Sequence, residues 1–329
     1  MRFGKVVMTC WMLAAFCASG VAHAETAVIQ RQRQAMGTMF VVLARVPEAD
    51  VSAGSVATRE ALDAALDEVT RLDRVMSHYD DDSELSRLVR DSVNGPVGVS
   101  ADLYGVLDAA LTMSRRTQGR FDVTVGRLVQ AWRRAADEGR APSDAELAQA
   151  RACAGPASLA LLPERRVDVR TACVAIDLGG IAKGLAVDRA LRMLASHGIL
   201  DAIVNAGGST MAAMGAAGDD TGGWPVQLHG REVPYVLADA AVSTSQASRE
   251  LVDPATGQVV ATPLTVTVVM RDAIEADAWS TALLLATPEE GAALLRQAPG
   301  AFVTWTDEAG RVVAVHERGA AGVRSGGTR

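Results

Sequence analysis

Hydrophobic spacing divides this chain into helical and strand-like stretches. Leu62, Leu66, Val69 and Leu72 recur at three- and four-residue intervals, which predicts a helix over 57–75. Ser83 starts a second helix, with Glu84 and Arg87 in its first turn. Residues 101–117 form an amphipathic helix that stops at Gln118-Gly119. Further helices are predicted over 125–136, 143–151, 181–196, 273–286 and 288–297. Met39 to Val46, after a glycine turn at Gly37, is strand-like. Leu159–Leu162 and Arg166–Ile176 are expected to pair across a Pro-Glu-Arg turn. Short strands are expected over 202–205, 224–228, 234–237, 264–270, 302–305 and 312–316. Blocks of helix alternate with hairpin-like groups of strands. The fold class is therefore α+β, with antiparallel or mixed sheets flanked by helices, rather than a doubly wound parallel sheet.

The N-terminus changes the domain picture. Arg2 and Lys5 precede an apolar run from Val6 to Phe16, and Ala22-His23-Ala24 is an A-x-A cleavage signal. Residues 1–24 are read as a signal peptide and 25–329 as one domain, with a frayed tail from about 318. Phe16 is a poor neighbour for a lipidated Cys17, so the expected product is exported, soluble and periplasmic. No later apolar run reaches the length of a membrane span, about 20 residues. Loss of Arg2 and Lys5 leaves 30 basic against 39 acidic residues, an unfavourable surface for nucleic acid. Cys153 and Cys173 remain, match no zinc spacing, and are free to pair in an oxidising compartment.

Candidate chemistry starts from lysine. The chain has two, and only Lys183 lies beyond the signal; every other cation there is arginine. Lys183 sits in IDLGGIAKGLAVD (Ile176 to Asp188), read as a strand that breaks at two glycines and re-enters as a helix. Adjacent glycines admit a ligand close to the backbone, and a compact ammonium adds a point charge. The stretch is neither a dinucleotide fingerprint nor a P-loop. In EADAWSTALLL, Asp277 and Thr281 lie four apart, on one helix face, and offer hard oxygens of the kind that hold Mg²⁺ together with substrate phosphates. Asp277 as a simple helix cap is the competing reading. In FDVTVG, Asp122 is either a hydrogen-bond acceptor on a rigid turn or the N-cap of the next helix. Tyr79 in MSHYDDDSELSRL offers a ring for stacking. VNAGGS reads as a strand that ends in a glycine pair, where backbone or ligand comes close, and VDPATG as a turn. The four histidines after residue 24 lie outside the glycine-rich motifs, which disfavours a histidine-based hydrolase.

In order, MGT (36–38), SHYDDDSELSRL, FDVTVGRLVQAW, IDLGGIAKGLAVD, VNAGGS, VSTS, VDPATG and ADAWSTAL resemble the ApbE family of FAD:protein FMN transferases, from about residue 34 to 305. The resemblance implies Mg²⁺-dependent transfer of FMN from FAD to a Thr or Ser hydroxyl of a partner protein, with release of AMP. It implies flavin or FAD contacts at Met36, Tyr79, Phe121, Asp122, Val123, Asp177, Lys183 and Leu251. It implies a metal at the Gly180 carbonyl, Asp277 and Thr281, the latter two being the catalytic pair. The implied partner is an acceptor flavoprotein of an extracytoplasmic electron-transfer system. A flavin-binding protein without turnover, or an FAD pyrophosphatase, are the alternatives on the same fold. The chain departs from the family pattern at Leu185, Ser209, Gln246 and Glu250, where Tyr, Asp, Gly and His are usual. A carboxylate at 250, if it faced the site, would repel a pyrophosphate.

Overall fold

The computed structural model describes residues 26–47, 55–215, 222–228, 235–317 and 323–325. The expected signal peptide lies outside them, as does the tail beyond Ser325. The strands are β1 (Thr26–Ala35), β2 (Thr38–Pro47), β3 (Val97–Gly98), β4 (Leu159–Leu162), β5 (Arg166–Val169), β6 (Ala202–Ala206), β7 (Thr210–Met214), β8 (Trp224–Val226), β9 (Tyr235–Leu237), β10 (Ala240–Gln246), β11 (Thr265–Met270), β12 (Phe302–Thr306), β13 (Val312–Glu317) and β14 (Val323–Ser325). The helices are α1 (Ser55–Met76), α2 (Glu84–Asp91), α3 (Ala101–Arg116), α4 (Gly126–Asp137), α5 (Asp144–Ala152), α6 (Ala182–Ser196), α7 (Ala273–Leu284) and α8 (Pro288–Leu294).

Eight strands form an antiparallel sheet in the order β1-β2-β6-β7-β10-β11-β12-β13. One face packs on α1, α6 and α7 through Phe40, Val42, Val204, Val266, Val268 and Val303. The other face carries Ile203, Met211, Val242, Val269 and Phe302 against the small sheet β14-β9-β8. Strands covered on both faces bury their side chains at successive positions, and β11, TVTVVM, is buried at every residue. Helix α7 is sandwiched in the same way and is buried nearly all round. The α+β class expected from the sequence is the one observed.

Several elements differ from expectation. β1 went unpredicted because its run Gln30-Arg31-Gln32-Arg33-Gln34 has no apolar alternation. Its arginines reach α1 instead: Arg31 lies 3.6 Å from Asp63, and Arg33 pairs with Asp67. Polar side chains of this kind suit an edge strand. β7 and β10 also lie outside the predicted strands, since their small residues (Ala212, Ala213, Ala240, Ala241) carry weak strand propensity and are placed by pairing with each other. The strand expected over Arg166–Ile176 ends at Val169. Beyond it only Ala175 bridges, in parallel, to Val125. Strand β8 stops at Val226, two residues short of expectation. Val323–Ser325, within the tail expected to fray, pairs with β9, whose backbone edge supplies the hydrogen bonds. Cys153 and Cys173 are disulfide-bonded, with Cα atoms 5.3 Å apart.

Candidate functional site

The motifs converge on a cavity of about 730 Å³, in the size range of small-molecule sites. Met36, Tyr79, Phe121, Asp122, Val123, Asp177, Gly180, Lys183, Leu251 and Thr281 all line it. They arrive from six separate stretches of chain.

The β1–β2 turn supplies one wall. Met36 takes the left-handed conformation at φ 50°, and its N–H donates to Asp73 Oδ2 of α1 at 2.8 Å. Behind the turn, Gly207 N donates to Met39 O at 3.0 Å, and a Cβ on Gly207 would lie 1.9 Å from Thr38 Oγ1. The glycine of VNAGGS is thus needed so that MGT can lie against it. Asp73 also lines the cavity; on a regular amphipathic helix no sequence signal marked it.

FDVTVG and IDLGG lie side by side. Asp177 N donates to Val123 O at 2.7 Å and Gly126 N to Ala175 O at 3.0 Å. A Cβ on Gly126 would come within 2.6 Å of that carbonyl, so the glycine permits the contact. Asp122 does not cap α4, whose N-cap position is Val125 with no side-chain bond. Its Oδ1 accepts from Thr124 N at 2.8 Å and Thr124 Oγ1 at 2.7 Å, closing a local turn. Burial raises the Asp122 pKa against these two hydrogen bonds. Thr124 Oγ1 in turn accepts from Gly155 N at 2.7 Å, beside the disulfide.

The glycine pair is a loop entering α6 rather than the end of a strand. Asp177 Oδ1 accepts from Gly179 N at 2.8 Å, and Lys183 Nζ donates to Gly179 O at 3.1 Å. A Cβ on Gly180 would sit 3.1 Å from both Phe121 and Thr281 Oγ1, so this backbone is pressed into the cavity wall. Gly184 has a different purpose. A Cβ there would lie 2.3 Å from Ala273 O, so only glycine lets α6 and α7 approach this closely.

Asp277 lies in the second turn of α7 and does not cap it. The cap comes from α6: Asp188 accepts from Ala273 N at 2.9 Å and Ile274 N at 3.0 Å. Burial lifts Asp188 to about 6. Asp277 is 3% exposed and sits behind the cavity wall, one turn from Thr281. Its Oδ2 accepts from Gly184 N at 3.0 Å; its Oδ1 accepts from Thr210 Oγ1 at 3.2 Å and Ser243 Oγ at 3.3 Å. Ser280 Oγ donates to Ser243 Oγ at 3.2 Å and lies 2.8 Å from Ser245 Oγ, which reaches the cavity. Thr281 Oγ1 spends its proton on Asp277 O at 3.1 Å, leaving its lone pairs free to accept. The buried hydroxyls of Thr210, Ser243 and Ser280 were missed by sequence reasoning. VNAGGS and VSTS pointed to the region, but the alternation of strands β7 and β10 is what turns Thr210 and Ser243 inward, while Ser280 comes from α7.

The departures fall at the surface and in the core. Leu185 is a buried core residue and Ser209 donates to Ala206 O at 3.2 Å. Gln246 and Glu250 line the cavity mouth, where Glu250 Oε1 accepts from Arg133 Nη2 at 2.7 Å. The carboxylate at 250 is therefore already paired. The DPATG turn closes on itself through Gly257 N to Asp253 O at 2.8 Å and docks on α4 through Trp132 Nε1 to Gly257 O at 2.8 Å.

The ApbE family model matches residues 36–304. The FAD:protein FMN transferase of Treponema pallidum is 29% identical over 272 residues, covering 72% of this chain and 75% of that protein. The one from Vibrio cholerae is 30% identical over 288 residues, with 78% and 82% covered. The solved structure of the flavin transferase ApbE from Vibrio cholerae superposes with a TM-score of 0.75 at 25% identity, covering 90% of this chain and 98% of that one. A fold matched along nearly its whole length, with the family's motifs gathered around one cavity, places this chain in the ApbE family.

Proposed function

We propose that this chain transfers FMN from FAD to a Thr or Ser hydroxyl of a partner protein, with Mg²⁺ as cofactor and AMP as leaving group. The observation that carries it is the meeting of ten motif residues, from six stretches of chain, in one cavity. In the reaction, the acceptor hydroxyl oxygen bonds to the phosphorus on the flavin side. The bond from that phosphorus to the bridging oxygen breaks, AMP leaves with the oxygen, and the hydroxyl proton passes to solvent.

The oxygens near Thr281 fit a magnesium ion. Asp277 is a buried carboxylate that, among the described residues, meets only hydroxyls and a backbone N–H and no cation. No cluster of three or more His, Cys, Asp or Glu side chains competes for a metal among the described residues. The Gly180 carbonyl, Asp277 and Thr281 would hold the ion, with phosphate oxygens completing the shell. When bound, magnesium supplies positive charge to the pyrophosphate. Lys183 adds a point charge beside it, Tyr79 and Met36 flank the flavin, and Phe121 to Val123, Asp177 and Leu251 shape the remainder of the cavity. Positioning and charge neutralisation are what phosphoryl chemistry asks of a protein.

We place the protein outside the cytoplasmic membrane, with an acceptor flavoprotein of an electron-transfer system as partner. The Cys153–Cys173 disulfide supports an oxidising compartment. No helix among the described residues is long and apolar enough to cross a membrane.

The test is incubation with FAD, Mg²⁺ and an acceptor domain, with and without a chelator. Covalent flavin fluorescence on the acceptor and stoichiometric AMP, both lost with the chelator, are expected. Free FMN and AMP without labelling would make the protein a pyrophosphatase; bound, uncleaved FAD would make it a flavin carrier.

A further inference from the structure

At the cavity mouth three elements meet on one arginine. Arg133, on the outer face of α4, donates through Nη2 to the Tyr79 hydroxyl and to Glu250 Oε1. Its guanidinium carbon lies 4.9 Å from the Tyr79 ring centroid. His78 also lies against the tyrosine, with ring centroids 3.9 Å apart. Tyr79 and Glu250 line the cavity, whereas Arg133 does not. Tyr79 is 67% exposed and follows α1 in an irregular segment, so its own backbone does little to fix the ring. Glu250 stands in the segment between β10 and the DPATG turn, equally short of regular structure.

We propose that Arg133 and Glu250 are positioning residues that together hold Tyr79 as the stacking wall of the flavin site, and that Glu250 draws the 247–250 segment across the mouth by the same bond. The proposal rests on the flavin-transfer reading of the cavity. A planar guanidinium with several N–H donors can bond a phenol and a carboxylate at once while lying near an aromatic face; a lysine ammonium cannot match that geometry. The cluster accounts for a glutamate in place of the family's usual histidine. Its charge is spent on Arg133 rather than turned on a pyrophosphate. Neither residue touches the reacting phosphorus in this account, so their loss acts on flavin binding before turnover.

The test is FAD affinity, read by quenching of flavin fluorescence, together with the KM and kcat for FMN transfer. Wild type is compared with Arg133→Ala, Arg133→Lys, Arg133→Glu, Glu250→Gln, Tyr79→Phe, the Arg133→Ala/Glu250→Gln double variant and the charge-swapped Arg133→Glu/Glu250→Arg pair. Arg133→Ala should weaken FAD about five-fold, the scale of an exposed ion pair plus a cation–π contact. Arg133→Lys should recover only part of this, and KM should rise more than kcat falls. Glu250→Gln should do less, and the double variant should be no worse than Arg133→Ala, because both changes remove one shared contact. Tyr79→Phe keeps the ring but loses its anchor and should fall between wild type and Arg133→Ala. The swapped pair should restore closure of the 247–250 segment in part, and so bind FAD better than Arg133→Glu alone. Unchanged FAD affinity in a folded Arg133→Ala protein, or strictly additive losses in the double variant, would overturn the clamp. A wild-type protein that binds FAD but labels no acceptor sinks the transferase reading while the binding comparison still decides the clamp. A wild-type protein that labels the acceptor, with Arg133→Ala binding FAD equally well, sinks the clamp alone.

Discussion

The floor and the rim of the cavity are built on opposite principles. At the floor, Asp277, Thr210, Ser243 and Ser280 are all at most 3% exposed and are bonded to one another across α7, β7 and β10. At the rim, the Glu250 side chain is 61% exposed and Arg133 30%, and they meet in solvent-facing segments. A buried polar group left without its partner costs about 1–3 kcal/mol, so each floor residue depends on the others. An exposed ion pair is worth about 0–1 kcal/mol, so the rim can change residue type without loss of fold. Of the four departures from the family pattern, Gln246 and Glu250 line the cavity at this rim, whereas Leu185 is buried in the core.

Asp277→Ala should break the floor hardest. It removes the proposed metal carboxylate and orphans the Gly184 N–H and two hydroxyls. FMN transfer should fall at least about 100-fold, the scale of losing one strong electrostatic contact to a transition state. Transfer at the wild-type rate with Mg²⁺ present would refute the metal assignment. A melting curve separates this from unfolding, because Asp277→Asn keeps the shape and should melt closer to wild type.

Gly184→Ala tests whether the floor depends on how closely two helices approach. Its Cβ would press within 2.3 Å of Ala273 O, between rigid backbones. A loss of about 2–3 kcal/mol in denaturant unfolding is expected. A change under about 0.5 kcal/mol would mean that α6 and α7 separate freely.

Asp188→Ala removes the trans cap of α7 and should cost about 1–2 kcal/mol. The pH dependence has a defined sign. Burial lifts the folded pKa to about 6 from 3.8, so the folded state holds the proton more tightly. This group's contribution to stability is therefore fully present below about pH 3.8 and is lost as pH rises through about 6. The stability difference between wild type and Asp188→Asn should fall across that window and level off above it. A flat difference would place the carboxylate in contact with water.

Lys183→Arg is expected to have the smallest effect, a few-fold weaker FAD binding. The broad guanidinium must fit where the ammonium now bonds Gly179 O beside the cavity. An unchanged dissociation constant, measured by fluorescence quenching, would return Lys183 to the class of rim residues.

Glycine was the most legible signal and also the least specific. IDLGGIAKG marked the site, yet its glycines act differently. Gly180 is set by contact with Phe121 and Thr281, Gly184 by the crossing of α6 and α7, and no sequence pattern separates the two. Asp277 and Thr281 were legible as a pair because helical spacing is a local property.

The sequence by itself determined the helices, the α+β class and ten of the residues that line the cavity, since periodicity and motif order are written along the chain. Only the tertiary structure decided that Thr210 and Ser243 hold Asp277, that Asp188 caps a helix 85 residues later, that polar β1 is a strand, and that Glu250 meets Arg133. Each of these joins residues from separate elements. Which partners satisfy a buried or half-buried polar group depends on distances that exist only once the sheet and its helices have packed.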